Sequence, residues 1–256
     1  MTATPATKGP CIFCKVLHAD PDEEHVIPLG LGGTDSTVLG SGEVCRPCNG
    51  RLSRADRGLV EVLGVFRPYV VENTRKGKHP WAEHENVRIE RTAREVRFEI
   101  DARKGPIKPF QLHLPDGETL VRAPLQLRFD ARLARGLHKI AFELVCLDKG
   151  ASEVLQPGYD DLREYILGTR SGFRPFLVEK PGELDLSRLG EGHGHFEITT
   201  TEPGSHVVIT RLFGIRFAVG ISPEADLISQ QGREWNRSGA SAEWFAFDQQ
   251  GLRREL

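Results

Sequence analysis

The chain has 256 residues, 39% apolar and 27% charged, an ordinary composition for a globular protein with room for one large core or a small and a larger one. It has no run of about 18 apolar residues, which excludes a membrane-spanning helix, and its polar, proline-bearing start "MTATPATKGP" lacks the apolar stretch of a secretion signal, so a cytoplasmic protein is expected. The net charge of −2 hides an asymmetry: residues 1–66 carry six basic against eight acidic side chains, 67–149 seventeen against twelve, and 150–256 eleven against sixteen.

The chain opens with Cys11-x2-Cys14, and Cys45-x2-Cys48 follows 30 residues later. In a reducing compartment such a quartet is a metal site rather than two disulfides, and four thiolates from two tight turns complete the tetrahedral shell of structural zinc. The fifth cysteine, Cys146 in "FELVCLDKG", reads as a buried apolar residue. Between the knuckles lies "DEEHVIPLGLGG", in which "EHVI" predicts a short strand ended by Pro28 and the glycines a loop. From Cys45 onward, Leu52, Ala55, Leu59, Val60 and Leu63 recur at helical spacing.

The expected order is therefore knuckle, strand, loop, knuckle, helix, with the zinc clamping strand to helix and bringing Glu24 and His25 close to Asn49. Carboxylate and amide oxygens are hard ligands suited to Mg²⁺ or Mn²⁺, and a histidine beside such an ion can take a proton from water. Taken singly, His25 also reads as a solvated histidine and Asn49 as a helix cap; Asp22 or Glu23 could replace Glu24 as the ligand. Asp56 lies on roughly the face of Asn49, where it could contact His25 or pair with an arginine.

In sum, C-x2-C, an acid followed by histidine in "EHVIPLGLGG", and C-x2-C-N resemble the zinc-stapled HNH endonucleases of the ββα-metal, or His-Me finger, superfamily, over residues 11 to about 60. The resemblance implies a phosphodiester hydrolase acting on double-stranded DNA. It implies His25 as general base, Glu24 and Asn49 as holders of a catalytic Mg²⁺ or Mn²⁺, and Cys11, Cys14, Cys45 and Cys48 as ligands of the structural zinc. The sequence departs from the commonest pattern in carrying Glu24 where an aspartate is usual. Arg46, Arg51 and Arg54 at the start of the helix are the candidate DNA contacts, with a solvated helix face as the plain alternative. A non-catalytic zinc module that binds nucleic acid or protein is the competing function.

Beyond residue 66, "RPYVVENTRKGKHPWAEHE" reads as a polar linker. Strand-like alternation follows in "VRIERT", "EVRFEIDA", "FQLHLP" and "TLVRAPLQLRFD". Residues 131–146 predict a helix with Leu133, Leu137, Ile140 and Leu144 on one stripe and Gly150 as its stop, and "YDDLREYILG" a shorter one. Strands resume at "RPFLVEK", "HFEITTT", "HVVITRLFGIRFAVGI" and "AEWFAFD". The "GEGHGHFE" stretch offers His193 and His195 at strand spacing, better read as a loop entering a strand than as a metal pair. The fold expected is α+β: a small HNH domain over 1–66 and a larger mixed α+β domain over 67–256 that selects or grips the target, its basic part beginning near residue 67.

Overall fold

The computed structural model describes residues 9–18, 20–34, 37–70, 81–84, 87–91, 96–100, 110–113, 119–122, 129–179, 189–223, 227–238, 242–247, 250, 253, 254 and 256. The fold is α+β, helices combined with antiparallel sheets. Strand β1 (Pro21–His25) pairs with β2 (Val38–Cys45), and α1 (Arg46–Leu63) leaves the end of β2 without a loop. The predicted strand starts earlier than "EHVI", and its partner β2 has two glycines and two serine or glutamate residues in place of a β-rich run, so pairing with β1 rather than propensity defines it. A single 3-10 turn at Leu29–Leu31 takes up the predicted glycine loop.

After the short helix α2 (Arg67–Val70) come β3 (Trp81–His84), β4 (Val87–Arg91) and β5 (Val96–Ile100), which form a three-stranded sheet, and the hairpin β6 (Phe110–His113) with β7 (Thr119–Arg122). β3 lies in the segment predicted as linker. The long helix α3 (Ala131–Lys149) is started by Asp130, whose carboxylate accepts from the amides of Arg132 at 2.9 Å and Leu133 at 3.3 Å. It stops at Gly150, which has φ +88°. Then come α4 (Ala151–Val154), α5 (Asp160–Leu167), β8 (Phe176–Glu179), β9 (Phe196–Glu202), β10 (Ser205–Leu212), β11 (Ile215–Ile221), α6 (Leu227–Arg237), β12 (Trp244–Phe247) and β13 (Arg253–Arg254). Sequence periodicity gave no sign of α6, whose run "LISQQGREWNR" is mostly polar.

The six-stranded sheet runs β13-β12-β8-β11-β10-β9, every pair antiparallel. The stretch read as one strand over "HVVITRLFGIRFAVGI" is a hairpin, because Phe213 and Gly214 have φ of +51° and +75° and make a two-residue turn of the primed type. A phenylalanine in the left-handed region is strained, and its burial against Phe66 and His193, with ring centroids 5.7 and 4.6 Å away, holds it there. At the other end of β10, Glu153 of α4 accepts from Tyr159 at 3.0 Å and pairs with His206 at 3.0 Å, docking the helical layer onto the strands.

α3 lies against α1 on one side and against β10 and β11 on the other. Leu133, Leu137, Ile140 and Leu144 are fully buried as predicted, but so are Ala141 and Val145 on the flank of that stripe and Phe142 and Cys146 on the opposite side. A helix apolar all round is a central helix. One continuous cluster of buried side chains runs from Ile12, Leu39 and Leu59 through α3 to Phe217 and Val219, so the core does not divide at residue 66. Among the described residues no helix is long and apolar enough to cross a membrane.

Two glycines set how closely α1 and α3 approach. A Cβ on Gly136 would meet Leu59 Cγ at 2.3 Å and the Ala55 carbonyl oxygen at 2.8 Å, and one on Gly58 would meet the Arg132 carbonyl oxygen at 2.7 Å. Gly50, on the solvent side of α1, has nothing within 4 Å. Gly136→Ala is expected to destabilise the protein by about 1–3 kcal/mol through overpacking. Gly50→Ala should stabilise it by about 0.5–1 kcal/mol through helix propensity. Urea denaturation of both variants checks the pair, and equal midpoints would contradict the close helix contact.

Candidate functional site

The first knuckle is a tight turn in which the Lys15 amide donates to the Cys11 carbonyl at 2.8 Å, with Lys15 at φ +60°. The second spans the junction of β2 and α1, with Pro47 in the first turn of the helix between Cys45 and Cys48. The four sulfurs lie within 4.8 Å of one another, and Cys14 Sγ is 3.8 Å from Cys45 Sγ. Zinc–sulfur bonds of about 2.3 Å in a tetrahedron require sulfurs about 3.8 Å apart, so the quartet fits a structural metal ion such as zinc. Left to themselves, four sulfurs this close cannot all ionise. The Cys48 thiol donating to Cys11 draws Cys11 down to about 4, while burial lifts Cys45 to about 11, and Cys48 is raised because it is the donor to Cys11. A cation in their midst is what allows four thiolates to coexist. His18 Nε2 lies 3.2 Å from Cys14 Sγ, placing that loop histidine beside the cluster.

The clamp brings β1 over the first turn of α1. Asn49 Nδ2 donates to Asp22 Oδ2 and to the Glu23 carbonyl, each at 3.2 Å, so the asparagine ties helix to strand. The carboxylate that Asn49 contacts is thus Asp22's. A bulge between Asp22 and Glu24 turns the strand, leaving Glu23 exposed and Glu24 buried at 3% exposure. His25, half-buried, closes the strand opposite Val38.

Glu24 has a partner that the sequence did not suggest. Lys139, in the middle of α3 and 0% exposed, places Nζ 2.5 Å from Glu24 Oε1, 2.9 Å from Asp56 Oδ1 and 3.3 Å from Glu143 Oε2. The same ammonium donates to the His25 carbonyl at 3.0 Å. Asp56 therefore pairs with a buried lysine rather than a surface arginine. Burial alone would lower the lysine pKa, but Glu143, Asp56 and Glu24 around it raise it, so the ammonium stays charged. Burial pushes Glu24 up against the pull of Lys139, and Glu143 well above the carboxylate range. One ammonium faces three carboxyl groups in this interior, and burial disfavours the charged form most at Glu143, the farthest of the three from Nζ and fully buried.

Lys139 and Glu143 do not stand out in the sequence because both fall beside the apolar stripe of α3, where charged residues normally face water. The available signal was the opposite side of the helix: Phe142 and Cys146 leave no solvent-facing arc around them. Arg46, Arg51 and Arg54 are all exposed on α1, with Arg46 Nε 3.2 Å from Asp20 Oδ2. His193, the loop histidine of "GEGHGHFE", accepts from the Phe213 amide at 3.2 Å, and burial lowers its pKa; His195 is exposed. Among the described residues, the four cysteines are the group whose ligand atoms converge closely enough to hold a metal ion.

Burial of the Glu143 carboxyl makes stability pH-dependent. The folded protein keeps a proton that the unfolded chain releases above the usual carboxyl value of 4.5, so this group's contribution is full below that value and is lost as pH rises toward the folded one. Glu143→Gln keeps the shape and removes the titration. Its urea midpoint should fall less than that of the wild type between about pH 5 and about pH 8. Parallel pH profiles for the two proteins would contradict a protonated Glu143.

Comparison with family models, with curated proteins and with solved structures finds no match for this chain.

Proposed function

We propose that the unit around the cysteine cluster is a zinc-stapled endonuclease that hydrolyses phosphodiester bonds of double-stranded DNA, with His25 as the general base. The observation that carries this reading is the Asn49 side chain bridging the first turn of α1 to β1, next to the strand that ends in His25. Two strands and a helix, stapled at one end by four cysteines and carrying acid, histidine and asparagine on the facing elements, are the arrangement that the HNH resemblance implies. In this role the cysteine-bound ion is zinc and purely structural.

His25 would accept the proton of a water attacking the phosphorus, and its ring must be neutral to do so. The hard oxygens of Asp22 and Asn49 suit Mg²⁺ or Mn²⁺, which when bound would stabilise the charge that develops on the phosphate. Glu24, the ligand the resemblance implies, has its carboxylate committed to Lys139, and Asp22 is the acid of β1 beside Asn49. Arg51 and Arg54 on the exposed face of α1 would meet phosphates, and Arg46 could join them by exchanging Asp20 for a phosphate.

The ion pair at Glu24 also favours a second reading, a zinc module that binds nucleic acid or protein without cutting it. A plasmid-nicking assay separates the two. Supercoiled DNA should be nicked in Mg²⁺ or Mn²⁺ and left intact in EDTA. His25→Ala should slow nicking by about 10² to 10⁴ fold while gel-shift affinity stays within about twofold. DNA that is bound but uncut under every metal condition would replace the nuclease with the binding module.

A further inference from the structure

We propose that Lys139 is the resident cation of the Glu24 site, a fixed ammonium standing where an exchangeable divalent ion would otherwise bind. Four oxygens from three elements converge on its Nζ: Glu24 Oε1 at 2.5 Å and the His25 carbonyl at 3.0 Å from β1, Asp56 Oδ1 at 2.9 Å from α1, and Glu143 Oε2 at 3.3 Å from α3. Such a converging set of oxygens, three of them from carboxyl groups and one a backbone carbonyl, is the environment a hard cation selects. Here the cation is covalently attached to the fold.

The geometry makes this occupancy exclusive. An ion bound to Glu24 Oε1 at about 2.1 Å would lie no more than about 4.6 Å from the ammonium nitrogen, with like charges facing each other in a dry interior. Lys139 cannot withdraw to relieve that repulsion. It is 0% exposed, and the close contact of Gly136 with Leu59 and Ala55 fixes the helix turn that carries it. Its departure would leave Glu24, Asp56 and Glu143 facing one another without a counter-charge.

Lys139 is thereby also a positioning residue. One ammonium holds the Glu24 carboxylate and the His25 backbone carbonyl together and so fixes the end of β1, where the His25 side chain begins. That consequence rests on the nuclease reading of His25; the occupancy of the Glu24 site does not.

The test uses Mn²⁺ alone as the probe and the full chain. Crystals of the wild-type protein soaked in MnCl₂ should show no anomalous peak within coordination distance of Glu24. Crystals of Lys139→Ala should gain one there, and it should vanish again in Lys139→Ala with Glu24→Gln. Manganese on Glu24 in the wild type overturns the proposal, as does a folded Lys139→Ala protein that takes up none. If Lys139→Ala does not fold, Glu24→Gln alone decides. Its affinity for Mn²⁺, read from the EPR signal of the free ion, should stay within about twofold of wild type, and a loss of about tenfold would show that Glu24 ligates an exchangeable ion. No arm measures cleavage, so failure here is distinguishable from failure of the nuclease reading.

Discussion

A single buried ammonium determines how this protein is assembled. Taking a lysine out of water costs several kcal/mol even after relaxation, and the interior recovers that only by presenting well-placed oxygens. Lys139 obtains them from β1, α1 and its own helix, so the charge is tolerable only when all three elements are docked. Each partner depends on the others in the same way. Without Lys139, Glu24 and Glu143 would be uncompensated buried carboxyls; without the docking, Lys139 would be an uncompensated ammonium. A hydrophobic contact of the same area would tolerate sliding, whereas this arrangement specifies one register between α3 and β1.

The cysteine cluster and the helix contact work toward the same end. The cysteines join the start of the chain to the junction of β2 and α1, which brings Asn49 onto β1. The Gly58 and Gly136 contacts then bring α3 close enough to α1 for Lys139 to pass across and reach β1. Apolar packing continues from this joint into the six-stranded sheet without a break. The stapled unit, α3 and the face of the six-stranded sheet that meets α3 consequently share one core with a charged rivet in it, while Leu177, Val207, Ala218, Ile228 and Trp244 form a second cluster under α6. This gives the proposed active strand a rigid support outside the ββα unit itself.

Much of this was legible in the sequence, for physical reasons that differ between elements. The cysteine pairs are readable because metal chemistry constrains both residue type and spacing, and their sulfurs do converge. The start of α1, α3 with its Gly150 stop, α5, and strands such as β4, β5 and β9 are readable because their patterns are local. β2 is not, since "VLGSGEVC" becomes a strand only through its partner β1. α6 is not, because Gly232 sits in its middle where a Cβ would strike Leu177 Cδ1 at 2.6 Å, a packing reason invisible to propensity. The Glu24 environment is the deepest case. The acid-histidine pair marks a special position, but what faces it is set by Lys139, 115 positions later in the chain and delivered by tertiary packing alone.

The claim that the stapled unit and the sheet form one body, riveted at Lys139, is tested most directly by unfolding with two simultaneous reporters. Release of zinc loaded onto the cysteines to a chromogenic chelator follows residues 11–48, and in a Trp81→Phe background the fluorescence of Trp235 on α6 and Trp244 on β12, whose tilted rings lie 5.0 Å apart, follows the other end. A single urea transition with coincident midpoints for both signals is expected in the zinc-loaded Trp81→Phe protein. Metal release complete at a urea concentration where the tryptophan signal is still native would contradict it.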